Sequence, residues 1–132
     1  MRDLKFRAWI KNYNCYADVL GFEQDRLFVQ FQSGERAQHR LYVPIEDCVL
    51  EQYTGLKDKN GEMVYEGDIV LDCYDRDYVF IVEWDKDTAS FILTDTEHIL
   101  NVSFDSFYPD KDLEIIGNIH EDQELLEAND VD

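Results

Sequence analysis

The sequence is poor in cysteine and proline, and it has no long apolar run. Its 132 residues include three cysteines and two prolines. The cysteines Cys15, Cys48 and Cys73 are odd in number and far apart, so we expect no disulfide framework and a reducing cytoplasm. No apolar run approaches the roughly 20 residues that span a bilayer, and the charged start does not resemble a signal peptide. A cytoplasmic protein without a membrane partner is predicted.

Motifs for catalysis and metal binding are also missing. The three histidines, His39, His98 and His120, have no cysteine or carboxylate at zinc-ligand spacing. There is no Gly-x-Ser-x-Gly nucleophile motif and no glycine-rich loop that would bind phosphate. The sequence therefore predicts no catalytic residues and no cofactor.

One carboxylate run invites a metal interpretation. Asp72, Asp75 and Asp77 could offer oxygen ligands to a hard cation. A calcium loop with Gly61 at its sixth position would need glutamate at its twelfth, where the sequence has Gly67. We therefore interpret the three aspartates as a polar loop and predict no metal site.

Basic residues are scarce in the second half. Up to Lys59 there are nine basic and nine acidic residues, whereas from Asn60 onward there are three basic and 21 acidic, which accounts for the net charge of −18. An acidic surface repels phosphate backbones, so nucleic-acid binding by this half is disfavoured. The acidic residues form either a solvated face or a contact surface for a basic partner.

Alternating apolar and polar residues predict a mostly β fold. Leu4, Phe6, Ala8 and Ile10 alternate with Lys5, Arg7 and Trp9, which is the period of a half-buried strand. Residues 15–22 lack a clean period and are predicted as a strand or irregular edge. A proline at position 44 predicts an edge strand or connector, and the segment 109–112 a turn. Further strands are predicted at 26–32, 48–53, 69–71, 78–84, 89–93, 98–104 and 113–116, and a short helix at 122–128.

The most informative stretch is Tyr53 to Val70. Asn60-Gly61 predicts a hairpin with a type I′ turn, because both residues tolerate positive φ. Gly67 before Asp68 predicts a second tight bend, where a residue without Cβ adopts a left-handed conformation at no steric cost. Together with Gly55, these residues are predicted as a structural turn signature at a barrel corner.

Three blocks of sequence resemble the YopX-like family of phage and prophage proteins. They are Lys5-Phe-Arg-Ala-Trp9, the stretch 53–70 with Tyr-Thr-Gly-Leu-Lys-Asp-Lys-Asn-Gly and Tyr-Glu-Gly-Asp-Ile-Val, and Ile115-Ile-Gly-Asn-Ile-His-Glu121. The resemblance implies a small, mostly β protein with an SH3-like barrel in its second half, and the residue pattern adds N-terminal strands and a short C-terminal helix. Because there is no internal repeat and no low-complexity linker, we predict one domain over 1–132, with a charge-balanced lobe at about 1–52 and an acidic barrel lobe at about 53–132. It supplies no catalytic residues.

Three functional hypotheses follow, and the first is preferred. It is a non-enzymatic accessory protein of a phage or prophage that acts through protein contacts in the cytoplasm of a bacterial host. Small β-barrels recruit partners through open strand edges or aromatic patches. Candidate partner contacts are Tyr53, Tyr65, Tyr74, Tyr78 and Trp84, although residues of this kind are more often part of the core.

The other two hypotheses depend on charge. One is an acidic decoy that mimics nucleic acid and occupies a basic host protein. The other is nucleic-acid binding by the N-terminal basic segment, with Arg2, Lys5, Arg7 and Lys11 beside Trp9. A small basic patch at Arg36, His39 and Arg40 is a solvated loop or a site for an acidic partner. Because unpaired strand edges need cover, a homo-oligomer is also expected.

Overall fold

A computed structural model shows a mostly β protein with two antiparallel sheets. It describes residues 4–73, 78–95, 101–104 and 107–127. The chain divides into two compact units, 1–53 and 54–132. The mostly β fold predicted from the alternating pattern is confirmed.

The first unit is built from five antiparallel strands, which pair in the order β4-β3-β2-β1-β5. A 3₁₀ turn, Ile45–Asp47, links β4 to β5. Residues 15–22, predicted as a strand or irregular edge, lie in one strand, whose register with β3 shifts between Val19 and Gly21. The strands are β1 Phe6–Ile10, β2 Cys15–Glu23, β3 Arg26–Phe31, β4 Arg40–Pro44 and β5 Cys48–Lys57, whose last residues belong to the second unit.

One face of this sheet carries the core of the first unit. Ala8 pairs with Ala17 on one side and with Leu50 on the other, and Ala17 pairs with Phe31. Because side chains alternate between faces along a strand, these register partners share one face. The buried members of the cluster are Ala8, Ile10, Ala17, Leu27, Val29, Phe31 and Val43.

The second unit contains a five-stranded antiparallel sheet in the order β10-β9-β8-β7-β11. A short strand, β6, pairs with β5. Among the described residues no closed barrel is formed. The elements are β6 Met63–Tyr65, β7 Asp68–Asp72, β8 Val79–Asp85, β9 Ser90–Asp95, β10 Asn101–Ser103, α1 Pro109–Asp112, β11 Leu113–Asn118 and α2 Gln123–Glu127.

The second core also follows the strand period. Val70 is the register partner of Phe80, and Val82 is the partner of Leu93. Phe107 packs its ring edge against Phe80 at a centroid distance of 6.0 Å. The buried members of this cluster are Val64, Val70, Phe80, Val82, Leu93 and Leu113.

Two local predictions are wrong. The segment 109–112 is one helical turn. Pro109 has its φ preset for the first helical position, and the backbone carbonyl of Tyr108 accepts hydrogen bonds from the N–H groups of Lys111 and Asp112. The hairpin at Asn60-Gly61 reverses the chain as predicted, but not through a type I′ turn. Gly61 has φ +80°, whereas Asn60 is not among the residues with positive φ.

The observed turn closes on Asp58. The Gly61 N–H donates to the Asp58 carbonyl at 3.0 Å, and the Asp58 N–H donates to the Glu62 carbonyl at 2.8 Å. This pattern is a type I turn followed by a left-handed glycine in a β-bulge. Only the glycine of the Asn-Gly pair therefore uses its conformational freedom.

Candidate functional site

A buried carboxylate fixes the hairpin of the family-like stretch to strand β11. Asp58 is 2% exposed. Its Oδ1 accepts hydrogen bonds from the N–H groups of Asn60 and Glu62, both at 2.9 Å, and its Oδ2 accepts one from the N–H of Ile115 at 2.9 Å. A carboxylate that takes up three backbone donors compensates the cost of its own burial.

The same hairpin makes further contacts with β11. The Lys59 N–H donates to the Leu113 carbonyl at 2.9 Å, and the Lys59 Nζ lies 3.3 Å from the Glu114 Oε1. The hydrogen bond to Glu114 raises the pKa of the Lys59 ammonium above its ordinary value, with a further contribution from nearby Cys73. The loop 58–62 is thus held by backbone and side-chain bonds.

The second bend joins the same two blocks of sequence. Gly67 has φ +89°, as predicted. The Asp68 Oδ2 accepts the Tyr65 N–H at 2.8 Å across the bend, and Asp68 itself is buried. The Gly67 carbonyl accepts the Ile119 N–H at 3.0 Å. Gly55 has φ +89° as well, but it lies within β5, which continues to Lys57.

The last family-like block forms a compact turn after β11. The Asn118 Oδ1 accepts the N–H groups of His120 and Glu121, each at 3.0 Å. The Asp122 Oδ2 accepts the Asn118 N–H at 3.1 Å, and a Cβ added to Gly117 would lie 2.6 Å from that oxygen. Glycine is required at this position because the Asp122 side chain occupies the space.

The first family-like block forms a charged cluster in the first unit. The Arg7 Nε donates to the Glu51 Oε1 at 2.8 Å, and the Tyr16 hydroxyl donates to the same oxygen at 2.9 Å. The Arg7 guanidinium lies 4.2 Å from the centroid of the Tyr16 ring. Glu51 is 2% exposed and Trp9 is 8% exposed. Arg7 and Trp9, proposed for nucleic-acid contact, are therefore committed to packing within the protein.

The structure separates the candidate partner contacts by exposure. Tyr53 is 7% exposed and belongs to the core, and Tyr65 is half-buried. Tyr78 and Trp84 are 45% and 47% exposed. Tyr74 lies outside the described residues. Two of the candidates can therefore contact a partner.

Trp84 is the better supported of the two exposed candidates, because specific contacts hold the hairpin that carries it. It is the register partner of Phe91, and the two rings meet edge to face at a centroid distance of 5.0 Å. In the following loop, Asp85 accepts the Asp87 N–H at 3.1 Å and the Thr88 hydroxyl at 2.8 Å. A large, partly exposed aromatic ring on a braced hairpin is typical of a protein contact site.

The sequence pattern did not indicate several other aromatic residues that are exposed. Tyr108 is 72% exposed, Phe22 59% and Tyr42 46%. Tyr42 carries the Arg26 guanidinium 4.0 Å from its ring centroid, and Arg26 bonds Glu23 at 2.9 Å. This hydrogen bond lowers the pKa of the Glu23 carboxyl and raises that of Arg26. Exposure at strand ends and edges has no signature in the alternating pattern.

The predicted basic patch in the first unit is spread over separate contacts. Arg36 and Arg40 are exposed, as is His39. The Arg36 guanidinium lies 4.6 Å from the Tyr13 ring centroid, whereas the Arg40 Nε donates to the Gln30 Oε1 at 2.9 Å. These two arginines therefore have different partners and are not assembled into one site by the described contacts.

The described parts of the chain hold neither a cluster of side chains suited to a metal ion nor a helix suited to crossing a membrane. Over residues 4–73, 78–95, 101–104 and 107–127, no group of three or more His, Cys, Asp or Glu side chains could hold a metal ion. In those ranges no helix has the length and apolar character to cross a membrane. Asp72 is buried, while Asp75 and Asp77 lie outside the described residues.

Comparisons with known proteins agree with the resemblance of the three blocks. No curated protein matches the chain. The chain is similar to the crystal structure of protein EF1440 from Enterococcus faecalis, with a TM-score of 0.64, 23% sequence identity, and coverage of 96% of this chain and 99% of that chain. At this identity the likeness concerns the fold alone. A family model described as YopX protein matches residues 5–127. The chain therefore belongs to the YopX protein family.

Proposed function

We propose that the protein is a non-enzymatic accessory protein of a phage or prophage, which binds another protein through its acidic second unit. The single observation that carries the proposal is the half-exposed Trp84 ring packed against Phe91 on the β8–β9 hairpin. An exposed aromatic residue held by its neighbours loses little conformational entropy on binding. The role is proposed for the cytoplasm of the bacterial host, where the three free cysteines would stay reduced.

The charge of the second unit indicates the chemistry of the partner. Residues 54–132 contain 22 acidic and five basic residues. A surface with this balance attracts a basic protein and accelerates its association. Lys or Arg side chains of such a partner could also lie over the Trp84 ring, because aromatic rings attract cations.

Tagged protein expressed in its host tests the proposal. Partners are captured with the wild type, with Trp84→Ala and with Phe22→Ala, which removes an exposed aromatic ring from the first unit. A true partner is captured by the wild type and Phe22→Ala and lost with Trp84→Ala. With the purified pair, Trp84→Ala should weaken affinity by about thirtyfold, as expected for a hot-spot residue. Equal affinity of all three proteins would contradict the proposal.

A decoy that mimics nucleic acid is a second candidate, supported by the same excess of 22 acidic over five basic residues. It requires the partner to bind DNA or RNA and the two ligands to compete. Titration of duplex DNA into the purified complex distinguishes the candidates. A decoy is supported if DNA displaces this protein from the partner and if added salt weakens the partner's binding of both DNA and this protein. Simultaneous binding of DNA and this protein excludes it.

The barrel in the second half also remains a proposal. Strand β7 pairs with both β8 and β11, so the first strand of the sheet contacts the second and the last. This strand order is the one found in SH3-like barrels, and it supports such a barrel as the binding scaffold. An experimental structure that pairs the sheet differently would contradict it.

A further inference from the structure

Strand β4 lies at the end of the first sheet. In the described part of the chain it pairs with β3 alone. Two hydrogen bonds mark the ends of the β3–β4 ladder: the Phe31 N–H donates to the His39 carbonyl at 3.0 Å, and the Ile45 N–H donates to the Asp25 carbonyl at 2.8 Å. These bonds fix which residues of β4 point their backbone groups toward β3.

Hydrogen-bonded and non-hydrogen-bonded pairs alternate along an antiparallel ladder. Counting from either end, Leu41 and Val43 direct their N–H and carbonyl groups toward β3. Arg40, Tyr42 and Pro44 therefore direct theirs outward. Pro44 has no N–H, which explains why proline is tolerated here.

The outward groups of Arg40 and Tyr42 are accessible. Both residues are exposed, with Tyr42 at 46%. Each offers one N–H donor and one carbonyl acceptor at the edge, whereas the Pro44 carbonyl accepts the Cys48 thiol at 3.5 Å. An edge of this kind is a template for an added strand.

We propose that the β4 edge pairs with the β4 edge of a second copy of this chain, antiparallel, with Arg40 opposite Tyr42 of the second copy. This register uses every outward backbone group of the two residues and leaves Pro44 outside the new ladder. It is also two-fold symmetric about Leu41, as a closed dimer requires. The inference is independent of the proposed function, which concerns the second unit.

Side-chain chemistry and charge favour a second copy over an unrelated peptide. Arg40 and Tyr42 share one face of β4, so this register brings the Arg40 guanidinium beside the partner's Tyr42 ring. That ring already accepts a guanidinium, because Arg26 lies 4.0 Å from its centroid. Residues 1–53 contain seven basic and eight acidic residues, so two such units approach with little net repulsion.

Sedimentation equilibrium and amide exchange on the full chain test the dimer. The wild type should reach twice its mass of 15.6 kDa as concentration rises. The amide protons of Arg40 and Tyr42 should become protected over the same concentration range. A chain that stays monomeric at 0.2 mM, or a dimer in which these two amides exchange freely, overturns the proposal.

Charge substitutions test the register. Tyr42→Lys places like charges opposite each other at both symmetric positions and should weaken the dimer roughly tenfold. Adding Arg40→Glu to Tyr42→Lys restores opposite charges and should restore association. Tyr108→Lys, the same change at an exposed site of the second unit, should leave it unchanged. This register is overturned if the double variant dimerises as weakly as Tyr42→Lys, or if all the variants dimerise with the same affinity.

Salt separates the two proposals. Two chains of net charge −18 repel each other, so added salt should strengthen the dimer. Binding of a basic partner should instead weaken with salt. A dimer that dissociates as salt is added would overturn the pairing of the two β4 edges.

Discussion

Asp58 shows how one residue can determine the local structure around it. Three backbone N–H groups converge on its carboxylate, two from its own loop and one from Ile115 in β11. The sequence pattern predicted a turn at Asn60 and Gly61 and gave no sign that Asp58, two residues before Asn60, is buried. A charged residue is expected at the surface, and only the tertiary contact with β11 reverses that expectation.

We predict that Asp58→Asn lowers the free energy of unfolding of the second unit by about 2–4 kcal/mol. The amide keeps one acceptor oxygen, but its NH₂ group would face a backbone donor and leave that donor unpaired. Urea denaturation in a Trp9→Phe background follows Trp84, the tryptophan of the second unit. Asp87→Asn, at an exposed loop position, is the matched control and should change stability by less than about 0.5 kcal/mol. Superimposable curves for Asp58→Asn and the wild type would contradict the role assigned to Asp58.

At the scale of elements, strands were easier to predict than the turns between them. The period of two located β1 and β3, because burial of one sheet face repeats along a strand. Apolar, β-branched runs on either side of a polar loop located β8 and β9. Turn type was harder, because Asn-Gly suits both a type I′ turn and a type I turn with a glycine bulge. The choice depends on the bonds of Asp58, which lie outside the dipeptide.

The two turn types predict opposite results for Asn60→Gly. In a type I′ turn Asn60 would have positive φ, so glycine would be neutral or stabilising. In the observed turn, where Asn60 is not among the residues with positive φ, glycine only adds flexibility to the unfolded chain. We expect Asn60→Gly to lower the free energy of unfolding by about 0.5–1 kcal/mol. Urea denaturation of Asn60→Gly in the same Trp9→Phe background measures this change in the free energy of unfolding.

Gly61→Ala provides the comparison for this turn. A Cβ at position 61 would meet nothing within 4 Å, so its cost comes from the φ of +80° alone. We expect a loss of about 1–2 kcal/mol. If Asn60→Gly stabilised the protein while Gly61→Ala destabilised it, the type I′ assignment would be restored.

At the scale of the whole molecule, the sequence revealed the asymmetry of charge but not which exposed groups could act on a partner. Acidic residues can be counted along the chain, and the excess falls in residues 54–132. Exposure of Trp84 and burial of Tyr53 could not be counted in this way, since both lie in strand-like patterns rich in apolar residues. The three-dimensional structure was therefore needed to locate the candidate site, whereas its electrostatic character follows from the sequence alone.

This asymmetry predicts that salt stabilises the two units to different extents. The second unit has 22 acidic and five basic residues, so its folded state is destabilised by self-repulsion. Raising ionic strength from 0.01 M to 1 M shortens the screening length from about 30 Å to about 3 Å. We expect the free energy of unfolding reported by Trp84 to rise by on the order of 1 kcal/mol. The value reported by Trp9, in the balanced first unit, should change less.

Two single-tryptophan variants make this comparison possible within one chain. Trp9→Phe leaves Trp84 as the reporter of the second unit, and Trp84→Phe leaves Trp9 as the reporter of the first. Urea denaturation of each at low and high sodium chloride gives the two salt responses. Sucrose, which stabilises folded proteins without screening charge, is the control and should shift both transitions. Strong like-charge repulsion is expected in the second unit only. Equal changes with salt in the free energies of unfolding reported by Trp9 and Trp84 would therefore contradict it.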